Sequence, residues 1–238
     1  MNKISAKDLS IIFPCYNESP VFEDSVKKVT AFMDTTGIDY EIIFVDDKSS
    51  DNTPDLIRAL LKYDKRFSAI FHERNIGRGG SVSDGLKSAS GVVAGYMDID
   101  LEIKENYLGV MYNAVCKGND VVCAKRFYDK SLRYFLRDFL HGVYLRLANI
   151  LVSIPVSDPN AGCKFFRREK ILPVLEKTVD RHWFWDTEIV KRASSEGLKI
   201  TEVPVKYVHN INKKSSVRVF SDTLHFIRKL FWLRKAMK

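Results

Sequence analysis

Residues 92–102 read VVAGYMDIDLE and join a predicted buried strand to a group of acidic residues. An apolar run passes directly into acidic residues at alternate positions, Asp98, Asp100 and Glu102. Alternate residues of an extended chain point the same way, so we expect these three carboxylates to face one point at the end of a strand. Carboxylates that share a point repel unless a cation or a proton lies between them. A hard divalent ion, Mg²⁺ or Mn²⁺, suits such oxygen ligands. The alternative is a solvated strand end that binds nothing.

Short apolar runs alternate with longer helical patterns up to about residue 125. This alternation is typical of an α/β domain with a mostly parallel central sheet flanked by helices. Ligands of such sheets bind at the carboxyl ends of the strands, where the acidic segment lies. The predicted strands are 9–13, 40–46, 68–72, 92–98 and 120–125, and the predicted helices lie near 19–35, 53–63, 79–89 and 105–117.

The second half of the chain carries different patterns. Apolar residues at helical spacing predict a helix over 131–154, and alternation predicts a strand over 199–208. The stretch 219–236 predicts a basic amphipathic helix with one apolar face and with Trp232 among its cations. The residues predicted for that apolar face are Phe220, Leu224, Ile227 and Phe231. Such helices either pack on the core or lie in a lipid interface.

Composition bounds the partners and the location of the chain. The 238 residues carry a net charge of +8, which favours a polyanionic partner: nucleic acid, anionic lipid or a phosphorylated substrate. The N-terminal residues lack the apolar core of a signal peptide, and no apolar stretch approaches the ~18 residues of a membrane span. We therefore expect a cytoplasmic protein that meets any membrane from the side. The four cysteines form no C-x-x-C pair, so no zinc or redox site is predicted.

Several motifs occur in a specific order along the chain. A Pro14-Cys15-Tyr16-Asn17-Glu18 segment follows the first strand, Asp46-Asp47 ends the second, a glycine-rich stretch covers 74–80, and Asp98-Ile99-Asp100 follows. This order resembles the inverting family-2 glycosyltransferases, which have the GT-A fold. The later segments 158–166 and 183–188 resemble the polyprenol-phosphate branch of that family, which includes the dolichol-phosphate mannose and glucose synthases. The resemblance covers roughly residues 8–220.

The resemblance implies a domain division and a reaction. It implies a GT-A catalytic domain over 1–218, with a nucleotide-binding half near 1–127 and an acceptor-binding half near 128–218, followed by the basic helix at 219–238. The implied reaction is metal-dependent, inverting transfer of mannose or glucose from a GDP- or UDP-linked donor to a polyprenol or dolichol phosphate. The implied partners are that donor, the lipid acceptor and a membrane surface or a separate membrane-anchoring protein.

On the donor side, the resemblance assigns the ion to Asp98 and Asp100. Glu102 stands where the branch usually has Gln, and it is a third predicted ligand that adds a charge. Nucleotide-binding roles are implied for Asp98 as well and for a further set of residues, Pro14, Tyr16, Glu18, Asp46, Asp47 and Gly77. The rival readings are structural: a turn and helix start around Glu18, a helix cap in 49–51, and a flexible turn at the glycines.

On the acceptor side, the resemblance implies that Arg126 contacts phosphate, and Arg133 is a second candidate. Arginine matches phosphate oxygens with two hydrogen bonds. The segment 209–218 resembles an acceptor loop of the branch, although its usual glycine is absent. Its predicted phosphate-binding residues are Lys213, Lys214, Ser216 and Arg218. The alternative interpretation of the two arginines is that they are surface residues without a role. The alternative for the segment 209–218 is a mobile basic linker.

The predicted catalytic residues are Asp100, Arg126 and Asp186. In many family members, an Asp at the position of Asp186 is the general base that deprotonates an acceptor hydroxyl. A polyprenol phosphate is already an anion and is itself the nucleophile, so Asp186 would then orient the sugar or the acceptor. A hydroxyl acceptor on a glycan or polysaccharide is therefore an alternative. A basic nucleic-acid-binding protein is a second one, but the expected recognition helix, zinc site and RNA-binding aromatics are missing, and no nucleic-acid partner is predicted.

Overall fold

The computed structural model describes residues 7–127, 145–146, 148–208 and 219–237, with the side chains of 219–225 left out. Five predicted acceptor-side residues lie outside this part of the chain: Arg133, Lys213, Lys214, Ser216 and Arg218. Most of the predicted helix over 131–154 also lies outside it, and residues 148–152 are helical.

The described part of the chain contains seven strands and seven bounded helices, besides the helical residues 148–152. The strands are β1 (Leu9–Cys15), β2 (Tyr40–Asp46), β3 (Phe67–Phe71), β4 (Val93–Met97), β5 (Val121–Phe127), β6 (Cys163–Arg167) and β7 (Ile200–Lys206). The helices are α1 (Phe22–Met33), α2 (Thr53–Leu60), α3 (Arg78–Ser88), α4 (Tyr107–Cys116), α5 (Arg168–Glu176), α6 (Trp185–Ser195) and α7 (Val219–Ala236).

The strands form one sheet in the order β3-β2-β1-β4-β6-β5-β7. β1 pairs in parallel with both β2 and β4, and β5 pairs in parallel with β7. β6 is antiparallel to its neighbours β4 and β5. The predicted α/β architecture with a mostly parallel sheet is thus confirmed, whereas β6, α5 and α6 were not predicted as elements. Because Cys163 pairs with Met97, the segment that leads into β6 lies against the carboxyl end of β4.

Both faces of the sheet are buried. Ile11 and Phe13 of β1 belong to one apolar cluster, with α1 and α4, and Ile12 belongs to the other, with α3 and α6. Burial on both faces explains why the strands read as nearly continuous apolar runs and not as alternating patterns.

Helix α7 packs on this core with a different face from the predicted one. Leu230 and Leu233 are fully buried, while Phe231 is 57% exposed and Trp232 is 38% exposed. The apolar face read from the sequence, which includes Phe231, is therefore not the face that packs on the core, because the helix is turned so that the two leucines meet it. Within the described residues, no helix combines the length and the hydrophobicity that crossing a bilayer requires.

Candidate active site

The loops after β1 and β2 are joined by hydrogen bonds into one unit at the carboxyl edge of the sheet. Asn17 adopts a left-handed backbone conformation, with φ of 56°. Its side-chain Oδ1 accepts from the Ser50 backbone N–H at 2.7 Å, and its own N–H donates to the Ser49 hydroxyl at 2.9 Å. The Glu18 N–H donates to the Thr53 hydroxyl at 2.9 Å. Tyr16 remains half exposed beside these contacts, so its ring is open to a ligand.

The two acidic residues at the end of β2 have different surroundings. Asp47 is buried, and its carboxylate accepts from the Ile76 and Gly77 N–H groups at 2.8 and 2.9 Å. It therefore fixes the loop before α3. Asp46 is equally buried, and its Oδ2 accepts from the Ser49 N–H at 3.2 Å. Its Oδ1 has no hydrogen-bond partner among the residues that the structure describes. A buried acceptor without a partner is unusual and suits a donor group of a ligand.

The chain turns directly after β4. Leu101 has φ of 51°, and its N–H donates to the Asp98 carbonyl at 3.3 Å. The predicted extended alternation of Asp98, Asp100 and Glu102 is therefore wrong. The Glu102 carboxylate instead accepts from the Tyr207 hydroxyl, which joins this turn to the end of β7. Among the residues described, no three His, Cys, Asp or Glu side chains converge in a way that would enclose a metal.

Asp98 lies between an arginine and a glycine. Its Oδ1 accepts from Arg78 Nε at 2.8 Å, and its backbone N–H donates to the Gly162 carbonyl at 3.1 Å. A Cβ added to Gly162 would lie 1.8 Å from Asp98 Oδ2, so the carboxylate occupies the space that the glycine leaves. The Asp98 side chain is partly exposed, and the partial desolvation by the surrounding protein, together with the charge of Asp100, raises its pKa against the lowering effect of Arg78.

Asp186 lies in a buried polar cluster behind Asp98. Its Oδ1 accepts from Lys164 Nζ at 2.6 Å and from the Tyr96 hydroxyl, and its Oδ2 accepts from Arg78 Nη1 at 2.7 Å. Lys164 is fully buried and Asp186 is 2% exposed. Burial alone would raise the pKa of Asp186, but Lys164 and Arg78 outweigh it and the pKa is lowered. Burial and then Asp186 hold the pKa of Tyr96 well above its usual range, so the hydroxyl stays protonated.

This cluster was not predicted from the sequence. In the sequence, Arg78 is one residue of a glycine-rich stretch, and Lys164 lies within the apolar segment CKFF. A lysine inside an apolar strand is a usable signal, because a buried ammonium needs a carboxylate partner. The identity of that partner does not follow from local spacing, since Asp186 comes from a different element.

Arg126 is engaged with Asp158. The two side chains form a paired contact, Nε to Oδ2 and Nη2 to Oδ1, each at 2.8 Å, and the Arg126 N–H also donates to Oδ2. The guanidinium lies over the Tyr207 ring, 5.5 Å from its centroid. Arg126 is thus held at the carboxyl end of β5, beside the residue that anchors Glu102. Its contact with an acceptor phosphate remains a prediction that requires Asp158 to share or release it.

The glycines at the start of α3 allow close packing. A Cβ at Gly79 would lie 2.4 Å from the Trp185 Cβ, and one at Gly77 would lie 2.3 Å from His182 Nδ1. The Gly80 N–H donates to the Arg181 carbonyl at 2.8 Å. These contacts press α3 against the segment before α6 and bring Arg78 to Asp186. Gly77 also has φ of 93°, which favours glycine.

The carboxylates after β4 suit a divalent ion that is shared with a ligand. Mg²⁺ is usually bound by one or two carboxylates, and phosphates and waters complete its shell. Asp98 is 40% exposed and Asp100 is half buried, so both offer oxygen donors at the open edge of the sheet. This donor set fits Mg²⁺ or Mn²⁺ held by Asp98 and Asp100. The Glu102 carboxylate contacts the Tyr207 hydroxyl, and its role as a third ion ligand stays a prediction.

A family model described as glycosyl transferase family 2 matches residues 10–172, more than half of the chain. The chain belongs to glycosyl transferase family 2. The family match runs from β1 into α5, and so includes the polar loops after β1, β2 and β4 together with Lys164. Asp186 and α7 lie beyond the matched residues.

Two relatives have nearly the same sequence identity to this chain. Glycosyltransferase AglD of Haloferax volcanii is 28% identical over 205 residues, which are 84% of this chain and 33% of AglD. Dolichyl-phosphate beta-glucosyltransferase of Dictyostelium discoideum is 27% identical over 246 aligned residues, 93% of this chain and 74% of that protein. The chain therefore spans about a third of the first relative and about three quarters of the second.

Solved structures of similar fold confirm the GT-A architecture. Glucosyl-3-phosphoglycerate synthase of Mycobacterium tuberculosis, in complex with Mn²⁺, UDP and glucosyl-3-phosphoglycerate, has a TM-score of 0.68 at 15% identity and covers 97% of this chain and 80% of its own. A mannosyltransferase of Pyrobaculum calidifontis in complex with GDP-Man and Mn²⁺ has a TM-score of 0.59 at 15% identity, and covers 98% of this chain and 74% of its own.

Proposed function

We propose that this chain is an inverting, metal-dependent glycosyltransferase that moves a hexose from a nucleotide sugar to a polyprenol phosphate. The observation that carries the proposal is that two groups lie at the same edge of the sheet. One is the buried Asp46 oxygen without a hydrogen-bond partner among the described residues, and the other is the Asp98 and Asp100 carboxylates. β1 separates β2 from β4, so the two groups lie two strand spacings apart, roughly 10 Å. This separation suits a base at one end and a diphosphate at the other.

Residues on the donor side would bind the nucleotide sugar as follows. Asp46 Oδ1 would accept a hydrogen bond from the base, and the exposed Tyr16 ring would offer it a face. Asp98 and Asp100 would hold the ion, which offsets the charge that develops on the leaving diphosphate. Asp47 acts indirectly, since it fixes the loop that leads to Arg78.

The surroundings of Asp186 favour a phosphate acceptor over a hydroxyl. A hydroxyl nucleophile needs a base, but Asp186 is buried, accepts from three donors and has a lowered pKa. A lipid phosphate needs no deprotonation. One of its oxygens would attack the anomeric carbon, form the new C–O bond and expel the diphosphate from the opposite face, which inverts the configuration. The similarity to a dolichyl-phosphate glucosyltransferase supports this choice.

Transfer of radiolabelled sugar tests the proposal. The full chain would be incubated with GDP-mannose or UDP-glucose, with Mg²⁺ or Mn²⁺, and with a polyprenol phosphate that is then extracted into organic solvent. We expect label in the lipid with one donor, and loss of that label with EDTA or with Asp100→Ala, since both deprive the diphosphate of its ion. Metal-dependent donor hydrolysis without lipid label would move the acceptor to a sugar hydroxyl. Lipid label that survives both EDTA and Asp100→Ala would contradict the metal assignment.

We further propose that α7 meets the membrane from the side. The exposed face of α7 carries Phe231 and Trp232 among the exposed cations Arg228, Arg234 and Lys235. Aromatic side chains beside basic ones are typical of helices that lie in an anionic lipid interface. A cytoplasmic, peripheral location remains the corresponding prediction for the whole protein.

Vesicle binding tests the α7 surface. We expect Phe231→Ser/Trp232→Ser to weaken binding to phosphatidylglycerol vesicles by about tenfold or more, because each buried apolar side chain contributes about 1.5–3 kcal/mol. Co-sedimentation at low and high salt measures it, and binding of the unaltered chain should fall as salt rises. Tyr63→Ser is the matched control, since Tyr63 is 87% exposed and lies after α2. Equal binding of the double variant and the Tyr63 variant would refute the proposed surface.

A further inference from the structure

Arg78 holds two carboxylates that come from different elements. Its Nη1 lies 2.7 Å from Asp186 Oδ2, and its Nε and Nη2 lie 2.8 and 2.7 Å from Asp98 Oδ1. The guanidinium also lies over the rings of Tyr96 and Trp183, at 5.0 and 5.5 Å from their centroids. With 11% of its side chain exposed, Arg78 has little freedom to turn away from these groups.

Arg78 is the positively charged side chain that partners Asp98. Asp186 already has Lys164 as a partner, with Nζ 2.6 Å from Oδ1. The positive charge of Arg78 is therefore available to Asp98, the carboxylate that the proposed function assigns to a divalent ion. Arg78 Nη2 is buried, and although it lies 2.7 Å from Asp98 Oδ1, it forms no aligned hydrogen bond with the described residues. This nitrogen retains the capacity to donate to a phosphate oxygen.

We propose that Arg78 is a positioning residue that serves as the resting counter-ion of Asp98 and keeps the affinity for the bare divalent ion low, so that the ion enters together with the diphosphate. The inference rests on the proposed function for the identity of the ion. A cation within 3 Å of a ligand oxygen competes with a second cation for that oxygen and repels it. A diphosphate brings negative charge that offsets this repulsion and offers an acceptor to Arg78 Nη2. Binding of ion and nucleotide is therefore coupled.

The test measures Mn²⁺ alone, without sugar or acceptor. Isothermal titration of the full chain would give the Mn²⁺ affinity with and without UDP or GDP, and thermal unfolding would be followed in EDTA and in Mn²⁺. For Arg78→Gln we expect a lower melting temperature in EDTA, because Asp98 and Asp100 then repel without a counter-ion. We expect at least about tenfold tighter binding of bare Mn²⁺, since one nearby charge shifts a cation equilibrium by one to three decades. Mn²⁺ should also restore much of the lost melting temperature, which a purely packing role would not allow.

Matched variants separate this role from general effects of charge. Arg58→Gln removes the same charge from an exposed ion pair with Asp55 and should leave Mn²⁺ binding unchanged. Asp98→Asn in the Arg78→Gln background should abolish the gain. If Arg78→Gln does not fold, Arg78→Met carries the test: methionine fills part of the same space without a charge, so its affinity for bare Mn²⁺ should also lie above that of the unaltered chain. Folded Arg78 variants whose bare Mn²⁺ affinity equals or falls below the unaltered value would overturn the inference. Their failure would leave the transfer reaction itself untouched.

Discussion

Asp186→Asn is expected to lower the free energy of unfolding by about 3–5 kcal/mol, because it leaves a buried ammonium without its charge partner. Lys164 is fully buried and its Nζ lies 2.6 Å from the carboxylate that the substitution removes. Tyr96 and Arg78 lose an acceptor in the same step. Urea unfolding followed by circular dichroism measures the loss. The amide should also reduce transfer through displacement of Arg78, so activity has to be compared at a temperature where both proteins are folded.

A double-mutant cycle attributes this loss to the ion pair. Lys164→Met alone should also destabilise, because it leaves Asp186 buried with less positive charge around it. The double variant Lys164→Met/Asp186→Asn should be less destabilised than the sum of the single variants, since no unpaired ammonium remains. Asp55→Asn is the control: its exposed pair with Arg58 should contribute less than about 1 kcal/mol. A loss at Asp186 no larger than at Asp55, or additive single effects, would contradict a coupled buried pair.

Gly162→Ala is expected to reduce transfer by at least about 100-fold, because a displacement of about 1 Å at a reacting centre has effects of this size. The added Cβ would lie 1.8 Å from Asp98 Oδ2 and 2.7 Å from its Cγ. The carboxylate must therefore turn or shift, and it then no longer presents the same oxygens to the ion. Steady-state transfer at saturating Mn²⁺, together with Mn²⁺–nucleotide affinity, measures the effect. We expect both to weaken.

Gly109→Ala is the matched control for this substitution. Gly109 lies within α4, and the atom nearest to its added Cβ is 3.6 Å away, which is ordinary contact. Alanine there should leave transfer unchanged and should stabilise the helix slightly. If Gly162→Ala keeps full activity while folded, Asp98 does not need its observed position against Gly162, and its assignment as an ion ligand fails.

The sequence predicted much of the nucleotide-binding side because that side is built from local patterns. Apolar runs such as 40–46 predict a buried strand, and the polar residues that follow each strand indicate the edge of the sheet where the strands end. The order of those polar segments was enough to indicate the family, which the family match confirms. The prediction that failed here, three carboxylates on one line, assumed that the chain stays extended after Met97. The left-handed Leu101 shows that it turns.

The acceptor side was less predictable because its contacts are long-range. Arg126 was predicted to bind phosphate, but its guanidinium group forms hydrogen bonds with Asp158, a residue 32 positions away. Phe231 was grouped on one apolar face of α7, a helix whose apolar residues lie around more than one side. Only docking against the core selects Leu230 and Leu233 for burial.

The α/β class, the strand-end placement of Asp46, Asp98 and Asp100, and the family follow from the sequence alone, because periodicity and motif order are properties of neighbouring residues. The remaining features depend on tertiary contacts. In the folded chain, β6 lies antiparallel between β4 and β5. Arg78 contacts Asp186, which is 108 positions away in the sequence. Lys164 is buried against the same carboxylate. The reason is physical: a buried charge must find a partner wherever the fold supplies one, and local spacing carries no record of which distant residue that will be.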